Sequence, residues 1–182
     1  MFRATTILAV KRNGKVTIGG DGQVTLGETT VMKHTAEKVK TIYGGKVAIG
    51  FAGSVADAFT LAERFEAKLE QYSGNLYRAA IELAKDWRSD NIMRKLDALL
   101  IAADAESILI LSGNGEDIEP DDGVASIGSG SMYAMAAARA LTRYSEMDSE
   151  DVVRNSLKIA SEICVYTNSN IKTITLQKEA GK

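Results

Sequence analysis

Two adjacent threonines, Thr5 and Thr6, follow a leader of four residues at the start of the chain. Cleavage of the bond between Ala4 and Thr5 would leave one residue that carries both a hydroxyl nucleophile and a free α-amine. Such an amine has a reference pKa of about 7.7–8.0, close to working pH, so it is suited to act as a general base. A threonine paired with its own amine is an activated nucleophile. A threonine at the start of a strand is also common without a catalytic role, so this pattern alone leaves both interpretations open.

The counts of histidine and cysteine restrict the other chemistries. The sequence contains one His, His34, and one Cys, Cys164. Any Ser-His-Asp or Cys-His mechanism would have to use His34, which lies in a polar stretch typical of a solvated segment. A single cysteine excludes an intramolecular disulfide and a zinc finger or ribbon. We therefore expect His34 to be a surface residue and Cys164 to be a buried thiol.

Two glycine-rich segments are further candidates for a site. The first, Gly19-Gly20-Asp21-Gly22, lacks the spacing of a dinucleotide fingerprint and the lysine of a P-loop, and is compatible with a turn in which Asp21 caps a backbone amide. The second, Gly128-Ser129-Gly130-Ser131, lacks the spacing of a nucleophile elbow. A serine at such a strand-to-helix junction is usually a helix cap. Neither segment identifies a function by itself.

The balance of charges argues against a nucleic-acid partner. Lys and Arg number 22 and Asp and Glu number 24, which gives a formal net charge of -2, so no basic excess exists to neutralise phosphates. No run approaches the roughly 20 apolar residues of a membrane span, and the leader is too short for a signal-peptide apolar region. We therefore expect a cytoplasmic protein whose partners include neither nucleic acid nor a membrane.

The hydrophobic periodicity predicts one domain in the order strands, two helices, strands, two helices, strand. Strands are predicted over 5–10, 15–19, 39–43, 46–51, 98–103, 107–111, 124–127 and 172–176. Helices are predicted over 55–72, 76–93, 132–144 and 149–166. Turns are expected at 13–14, 44–45 and 113–115. Two antiparallel sheets, each covered outside by a helix pair, would bury all these faces, so the predicted fold class is α+β, a four-layer α/β/β/α sandwich.

Short segments over nearly the whole chain match a known family in order and spacing. They are Thr5-Thr6-Ile7, Gly20-Asp21-Gly22-Gln23, Val31-Met32-Lys33, Lys38-Val39, Gly50-Phe51-Ala52-Gly53, Ala56-Asp57-Ala58-Phe59, Ala84-Lys85-Asp86-Trp87-Arg88, Ile127-Gly128-Ser129-Gly130 and Glu162-Ile163-Cys164-Val165-Tyr166-Thr167-Asn168. With them the chain resembles the β-type subunits of the proteasome family, most closely its bacterial members. The resemblance implies an N-terminal nucleophile hydrolase of the four-layer fold, a threonine-type endopeptidase that cuts unfolded proteins through an acyl-ester intermediate.

The resemblance also implies a role for each matching residue. Thr5 matches the nucleophile. Lys38 matches the catalytic lysine and Asp21 the acid that accompanies it, and a buried ammonium there would favour the alkoxide form of the threonine. Ser129 matches the serine that completes the network beside the threonine amine. Gly53 matches the backbone N–H donor to the oxyanion, which contributes about 3 kcal/mol in a comparable site.

The leader is a departure from the family, whose members often carry only an initiator Met or a short leader. Because Phe2 is bulky, we do not expect simple removal of the initiator Met to reach the threonine, and we expect self-cleavage of the Ala4–Thr5 bond. Residues 1–4 would then be a propeptide and residues 5–182 a single peptidase domain. A cut one residue later would make Thr6 the nucleophile, but the spacing to Asp21 favours Thr5.

The resemblance further implies an ion, partners and a specificity pocket. A monovalent cation such as sodium would bind backbone carbonyls at Ser161, Cys164 and Thr167, and a serine at 161 in place of the usual glycine leaves those carbonyls available. No cofactor is implied for the chemistry, because ATP is used by a partner, a hexameric ATPase that unfolds substrates. The chain itself would form two stacked hexameric rings. Phe51 falls where the family lines its specificity pocket.

Two alternatives from other classes share this fold. A non-catalytic ring subunit would lack the nucleophile or the lysine, whereas Thr5 and Lys38 are both present here. An amidase of small molecules usually begins with Cys or Ser and needs insertions that build an enclosed pocket, which this sequence lacks. The sequence therefore favours a threonine peptidase.

Overall fold

The computed structural model describes residues 2–178 apart from positions 4, 28, 54, 91–97 and 113–116. The strands are β1 (Phe2–Arg3), β2 (Thr6–Arg12), β3 (Lys15–Gly20), β4 (Val24–Leu26), β5 (Thr30–Lys33), β6 (Val39–Ile42), β7 (Val47–Gly53), β8 (Ala98–Ala103), β9 (Ile108–Ser112), β10 (Asp117–Ile118), β11 (Val124–Gly128) and β12 (Lys172–Gln177). The helices are α1 (Val55–Gln71), α2 (Leu76–Ser89), α3 (Ser131–Tyr144) and α4 (Ser149–Ile163). No helix in these ranges is long and apolar enough to cross a membrane.

Two antiparallel sheets face each other in the centre of the molecule. One has the strand order β10-β9-β8-β7-β6 and the other the order β11-β2-β3-β12. The core between them is apolar and includes Ile7, Ile18 and Ile101, which have no exposed surface. Because side chains alternate across a strand, the neighbouring positions point to the outer faces of the sheets.

A pair of helices covers each outer face, which confirms the predicted four-layer sandwich. Helices α1 and α2 pack on the five-stranded sheet around Phe65 and Trp87. Helices α3 and α4 pack on the four-stranded sheet, where Leu8 of β2 meets Val153 and Leu157 of α4. A strand buried on both faces must be apolar at nearly every position, which explains the uninterrupted apolar run at the start of β2.

A third, small sheet was not predicted. It consists of β1, β4 and β5 in the order β1-β4-β5. Its strands are two to four residues long and every position of β5 is exposed, so the sequence there carries no apolar alternation to indicate a strand. The register places Phe2 opposite Leu26 and Arg3 opposite Thr25, so the leader runs antiparallel to β4.

Several predicted element ends were wrong, and three of them have a local backbone cause. Helix α2 ends at Ser89 because Asp90 adopts an extended backbone (φ -81°, ψ 121°), and positions 91–93 lie outside the described residues. Helix α4 ends at Ile163 rather than near 166 because Cys164 is already extended. Strand β6 stops at Ile42, where a short 3-10 turn begins. The turn predicted at 113–115 lies outside the described residues.

Candidate active site

Asp21 directly follows β3 and holds a fully buried carboxylate. Its Oδ1 accepts hydrogen bonds from the backbone N–H of Thr6 (2.9 Å) and from Nζ of Lys38 (2.8 Å). Its Oδ2 accepts from the backbone N–H groups of Gln23 (2.9 Å) and Asn168 (3.3 Å). Four donors satisfy an ionised carboxylate in the absence of water. The simple interpretation that Asp21 caps a backbone amide is therefore correct, and the residue pairs with Lys38 as well.

The ammonium of Lys38 faces Asp21 in a nearly dry environment, since 8% of the lysine side chain is exposed. Burial lowers the pKa of Lys38 below its ordinary value of 10.5, and the charge and hydrogen bond of Asp21 offset part of that effect. The carboxylate thus favours the charged form of a lysine that its surroundings would otherwise neutralise.

The two candidate threonines have different surroundings. Thr6 begins β2 and has no exposed surface. Its Oγ1 accepts a hydrogen bond from the N–H of Gly130 (2.9 Å) and shares another with Oγ1 of Thr167 (2.7 Å). Thr5 is half-buried, and its carbonyl accepts from the N–H of Ser129 (2.8 Å). An enclosed hydroxyl that already has two partners is a poor nucleophile, so the geometry favours Thr5 over Thr6.

The loop between β11 and α3 holds the backbone of Thr5 in place. Gly128 has a φ of 97°, and a Cβ at this position would clash with the carbonyl oxygen of Thr5. Ser129 is exposed and lies beside Thr5 through its backbone N–H. The N-cap of α3 is Gly130, with no side-chain cap bond, so Ser129 does not provide the helix cap that is usual for a serine at this junction.

Gly53 and Phe51 lie farther along, in β7. The N–H of Phe51 donates to the carbonyl of Lys38 (3.4 Å), which ties β7 to the segment that carries the lysine. Gly53 ends the same strand with a φ of 140°. The side chain of Phe51 packs against the core beneath α1 and α2. The residues that direct hydrogen bonds bring together are Thr5, Thr6, Asp21, Lys38 and Ser129.

The remaining predicted residues lie around the end of α4 and in the segment before Lys38. His34 is exposed and Cys164 is buried, as expected. Ser161 lies in the last turn of α4, and the Cys164 carbonyl accepts from the N–H of Thr167 (3.0 Å). Carbonyls in the last turn of a helix, such as that of Ser161, lack intrahelical partners and lie at the negative end of the helix dipole, which favours a cation, whereas Thr167 lies beyond the end of α4. Among the described residues, no group of three or more His, Cys, Asp or Glu side chains could hold a metal.

Sequence reasoning missed how much of the site comes from the loop after α4. Thr167 contacts Thr6 through its hydroxyl, and Asn168 contacts Asp21 through its backbone. Apart from the family-matching segment that ends at Asn168, the local signal is a pair of asparagines, Asn168 and Asn170, directly after a predicted helix. Asparagines favour turns in any loop, so this signal alone could not have placed the loop against Asp21.

A buried lysine–aspartate pair beside a threonine, set in a four-layer sandwich, is the arrangement of an N-terminal nucleophile hydrolase. Residues 1–176 match the family model described as proteasome subunit. The chain is 60% identical to the ATP-dependent protease subunit HslV of Caldanaerobacter subterraneus subsp. tengcongensis, over 97% of this chain and 100% of that protein. It is 62% identical to the ATP-dependent protease subunit ClpQ of Bacillus licheniformis, over 93% of this chain and 95% of that protein.

A solved structure agrees with these sequence matches. The crystal structure of eukaryotic HslV from Trypanosoma brucei superposes with a TM-score of 0.91 at 44% sequence identity, over 95% of this chain and 99% of that one. The chain therefore belongs to the proteasome family, in the group of the HslV (ClpQ) peptidase subunits. It is a threonine protease that hydrolyses peptide bonds, as the peptidase subunit of an ATP-dependent protease.

Proposed function

We propose that Thr5, once residues 1–4 have been removed, is the nucleophile of this peptidase. The observation that carries the proposal is the buried Asp21–Lys38 pair, whose carboxylate also accepts the N–H of Thr6, the next residue along the chain. Because this carboxylate contacts both Lys38 and the residue next to Thr5, we infer that the ammonium acts on the hydroxyl of Thr5. A cation in a dry site lowers the free energy needed to deprotonate a neighbouring hydroxyl.

The reaction proceeds in two stages on this one residue. The α-amine of Thr5 accepts the hydroxyl proton while Oγ1 attacks the carbonyl carbon of the scissile bond, and the N–H of Gly53 donates to the oxyanion that forms. The C–N bond then breaks, the departing amine takes the proton from the Thr5 ammonium, and an acyl ester remains. Water, deprotonated by the same amine, hydrolyses the ester and restores the hydroxyl. Lys38 stays charged throughout, held by Asp21, and Ser129 completes the hydrogen bonds around the amine.

The direct test is substitution of the nucleophile. We expect Thr5→Ala to abolish hydrolysis of a fluorogenic peptide, whereas Thr5→Ser retains part of it because a hydroxyl and an α-amine are still on one residue. Thr5→Ala should keep the melting temperature and the assembly state of the parent, which makes it a folded control. Peptidase activity in purified Thr5→Ala above the level of a blank would contradict the proposal.

The leader is removed by the same hydroxyl. Oγ1 of Thr5 attacks the carbonyl carbon of Ala4, the Ala4–Thr5 C–N bond breaks with transfer of the hydroxyl proton to the nitrogen, and water hydrolyses the resulting ester. The pairing of Phe2 and Arg3 with β4 supports a defined position for this part of the leader. Intact mass and N-terminal sequencing should show that the parent begins at Thr5 and that Thr5→Ala keeps its leader. An active parent that retains Met1 or Phe2 would contradict self-cleavage.

A monovalent cation, sodium in our proposal, binds the carbonyls of Ser161, Cys164 and Thr167. The position of the Ser161 carbonyl in the last turn of α4 supports it, and the ion would stabilise the loop that contacts Thr6 and Asp21. We expect activity and melting temperature to fall after exchange of sodium for tetramethylammonium and to recover on its return. Cys164→Ser should respond in the same way, since the thiol is not a ligand. An activity that does not respond to sodium would contradict the proposal.

The protein works in the cytoplasm as two stacked hexameric rings with a hexameric ATPase of the HslU (ClpY) type, which delivers unfolded proteins. The names and structure of the relatives support an assembly of this kind. We expect a dodecamer by native mass spectrometry, and degradation of an unfolded protein that requires both the ATPase and ATP. A monomer with full activity would contradict the ring proposal.

A further inference from the structure

The segments that carry Asp21 and Lys38 are joined by the side-chain amide of one residue, Asn168. Its Oδ1 accepts the N–H of Gly22 (3.0 Å), and its Nδ2 donates to the carbonyl of His34 (2.9 Å). Gly22 directly follows Asp21, and His34 belongs to the segment that leads into Lys38. One carboxamide therefore spans the two segments whose ends form the ion pair.

The orientation of this amide is fixed by its neighbours. Oδ1 also accepts the N–H of Asn170 (3.1 Å), so that both groups at this end of the Asn168 amide are donors. The group at the other end, the carbonyl of His34, is an acceptor. A rotation of the amide by half a turn would place like groups together at all three contacts. Asn168 is thus locked to both segments in a single geometry.

The two segments touch each other at the point where Asn168 joins them. The N–H of Ala36 donates to the carbonyl of Gly22 (2.9 Å). A Cβ on Gly22 would clash with the carbonyl oxygen of His34 and stand 3.0 Å from Cα of Thr35. No side chain fits between the segments, so their spacing is set by this backbone contact and by the amide that bridges it.

We propose that Asn168 is a positioning residue for the Asp21–Lys38 pair, because its amide fixes the separation of the two segments and thereby the 2.8 Å contact between the carboxylate and the ammonium. The backbone N–H of Asn168, which donates to the other carboxylate oxygen of Asp21, adds to this alignment. The proposal rests on the catalytic roles given above to Asp21 and Lys38. Asn168 acts through these two residues and not on the substrate.

Asn170 provides a matched control. Its Nδ2 donates to the same carbonyl of His34 at 2.9 Å, but its side chain has no hydrogen bond to Gly22 among the contacts of the described residues. Asn170→Ala therefore removes one amide from the same loop and the same acceptor without uncoupling the two segments. An effect that comes only from loosening the loop should appear equally in both alanine variants.

The experiment compares Asn168→Ala, Asn168→Asp, Asn170→Ala and Asp21→Asn in the assembled, full-length protein. For each variant, kcat and KM for a fluorogenic peptide, the pH dependence of kcat and the melting temperature are measured. We expect Asn168→Ala to lower kcat about tenfold with KM within about twofold of the parent, and to move the alkaline limb of the kcat profile to lower pH. Among the described residues Asp21 is the charge that acts on Lys38, and in our proposal cleavage before Thr5 adds an α-amine to the site; neither alanine variant alters these groups.

Asn168→Asp keeps the acceptor for Gly22 but places a carboxylate oxygen against the carbonyl of His34, so we expect it to lower kcat at least as much as Asn168→Ala does. We expect Asn170→Ala to stay within about twofold of the parent in kcat and in KM. If both Asn168 variants keep the kcat and the pH profile of the parent, or if Asn170→Ala changes them as much as Asn168→Ala does, the positioning role is wrong. Asp21→Asn separates the two proposals: if it keeps full activity, the catalytic role of Asp21 fails, whatever the Asn168 variants do.

Discussion

At the scale of single residues, two opposing effects set the pKa of Lys38. Burial opposes the ammonium and Asp21 favours it, and the net result is a lysine whose pKa lies below the ordinary value of 10.5. The unfolded chain therefore binds this proton more tightly than the folded one, so the free energy of unfolding rises with pH between the lowered pKa and about 10.5. The site thus keeps the cation at some expense in stability, as expected where a charge serves catalysis.

Asp21→Asn tests this balance. Without the carboxylate, burial acts unopposed by that charge and the pKa of Lys38 falls further. The ammonium exists only below its pKa, so we expect the alkaline limb of the kcat/KM profile to move to lower pH and kcat/KM near neutrality to fall about 10²-fold. The measurement is a pH–rate series on a fluorogenic peptide.

The control for that series is a partly exposed ion pair of equal length. Asp86 accepts from Lys68 at 2.8 Å on the surface of α2 and α1. Asp86→Asn should leave both kcat/KM and the alkaline limb of its pH profile unchanged. An alkaline limb that stays in place in Asp21→Asn would show that Lys38 does not need the carboxylate to remain charged.

Thr6→Val tests whether Thr6 is a structural residue or the nucleophile. Valine keeps the shape and removes the hydroxyl, which leaves the N–H of Gly130 and the hydroxyl of Thr167 without their partner in the core. We expect a loss of about 1–3 kcal/mol in the free energy of unfolding, with peptidase activity retained below the melting temperature. Thr41→Val, on the exposed side of β6, should be neutral. Loss of activity in a folded Thr6→Val would favour Thr6 as the nucleophile.

Spacing in the sequence favoured Thr5, but it could not show why. The decisive property is that Thr6 is enclosed, and this depends on Gly130 and Thr167, which are far from it along the chain. The same holds for Asn168, whose partners lie more than 130 residues away. Local patterns identify residue types, whereas such long-range hydrogen bonds depend on the packing of complete elements.

At the scale of elements, the strand-to-helix junction at Gly128 controls the placement of Thr5. We expect Gly128→Ala to abolish peptidase activity, because its methyl group would occupy the place of the Thr5 carbonyl oxygen. The positive φ of 97° adds a cost of about 1–2 kcal/mol for any residue with a Cβ. Peptidase assays and thermal melts on the purified variant give the two quantities.

The matched control is Gly14→Ala in the β2–β3 turn. Gly14 also has a positive φ, 73°, but a Cβ there would meet no atom within 4 Å. This variant should show a similar loss of stability and keep full activity. If Gly14→Ala lost as much activity as Gly128→Ala, backbone strain rather than displacement of Thr5 would be the cause.

Elements with a strong hydrophobic period were predicted well, and those without one were not. Strand β2 is buried on both faces, so its sequence is a continuous apolar run. Helix α1 is buried on one side, so its apolar residues recur with the helical period. Every residue of β5 is exposed, so its sequence has no apolar period that would indicate a strand. The predictions of the helix ends were wrong where the end depends on the backbone conformation of a single residue, as at Asp90 and Cys164.

At the scale of the whole molecule, the α3–α4 hairpin presents apolar side chains to solvent at one end. Because the two helices follow each other with a short connection, the start of α3 lies near the end of α4. This apolar end consists of Met132, Tyr133, Ile159, Ile163 and Val165. It adjoins the loop of Thr167 that contacts Thr6, so it lies beside the candidate site.

The ring assembly proposed above predicts that a second copy of the chain covers this apolar end. Met132 is 66% exposed and Val165 is 77% exposed, values that are costly for a soluble monomer when the side chains cluster.

We expect the double variant Ile163→Glu, Val165→Glu to fold and to run as a smaller species than the parent in light scattering after size exclusion. Its peptidase activity should fall with the loss of assembly, because the loop beside Thr6 loses its support. Tyr144, at the opposite end of the hairpin, is 86% exposed, and Tyr144→Glu should assemble as the parent does. A double variant that assembles and cleaves peptide normally would show that this end faces solvent in the working enzyme.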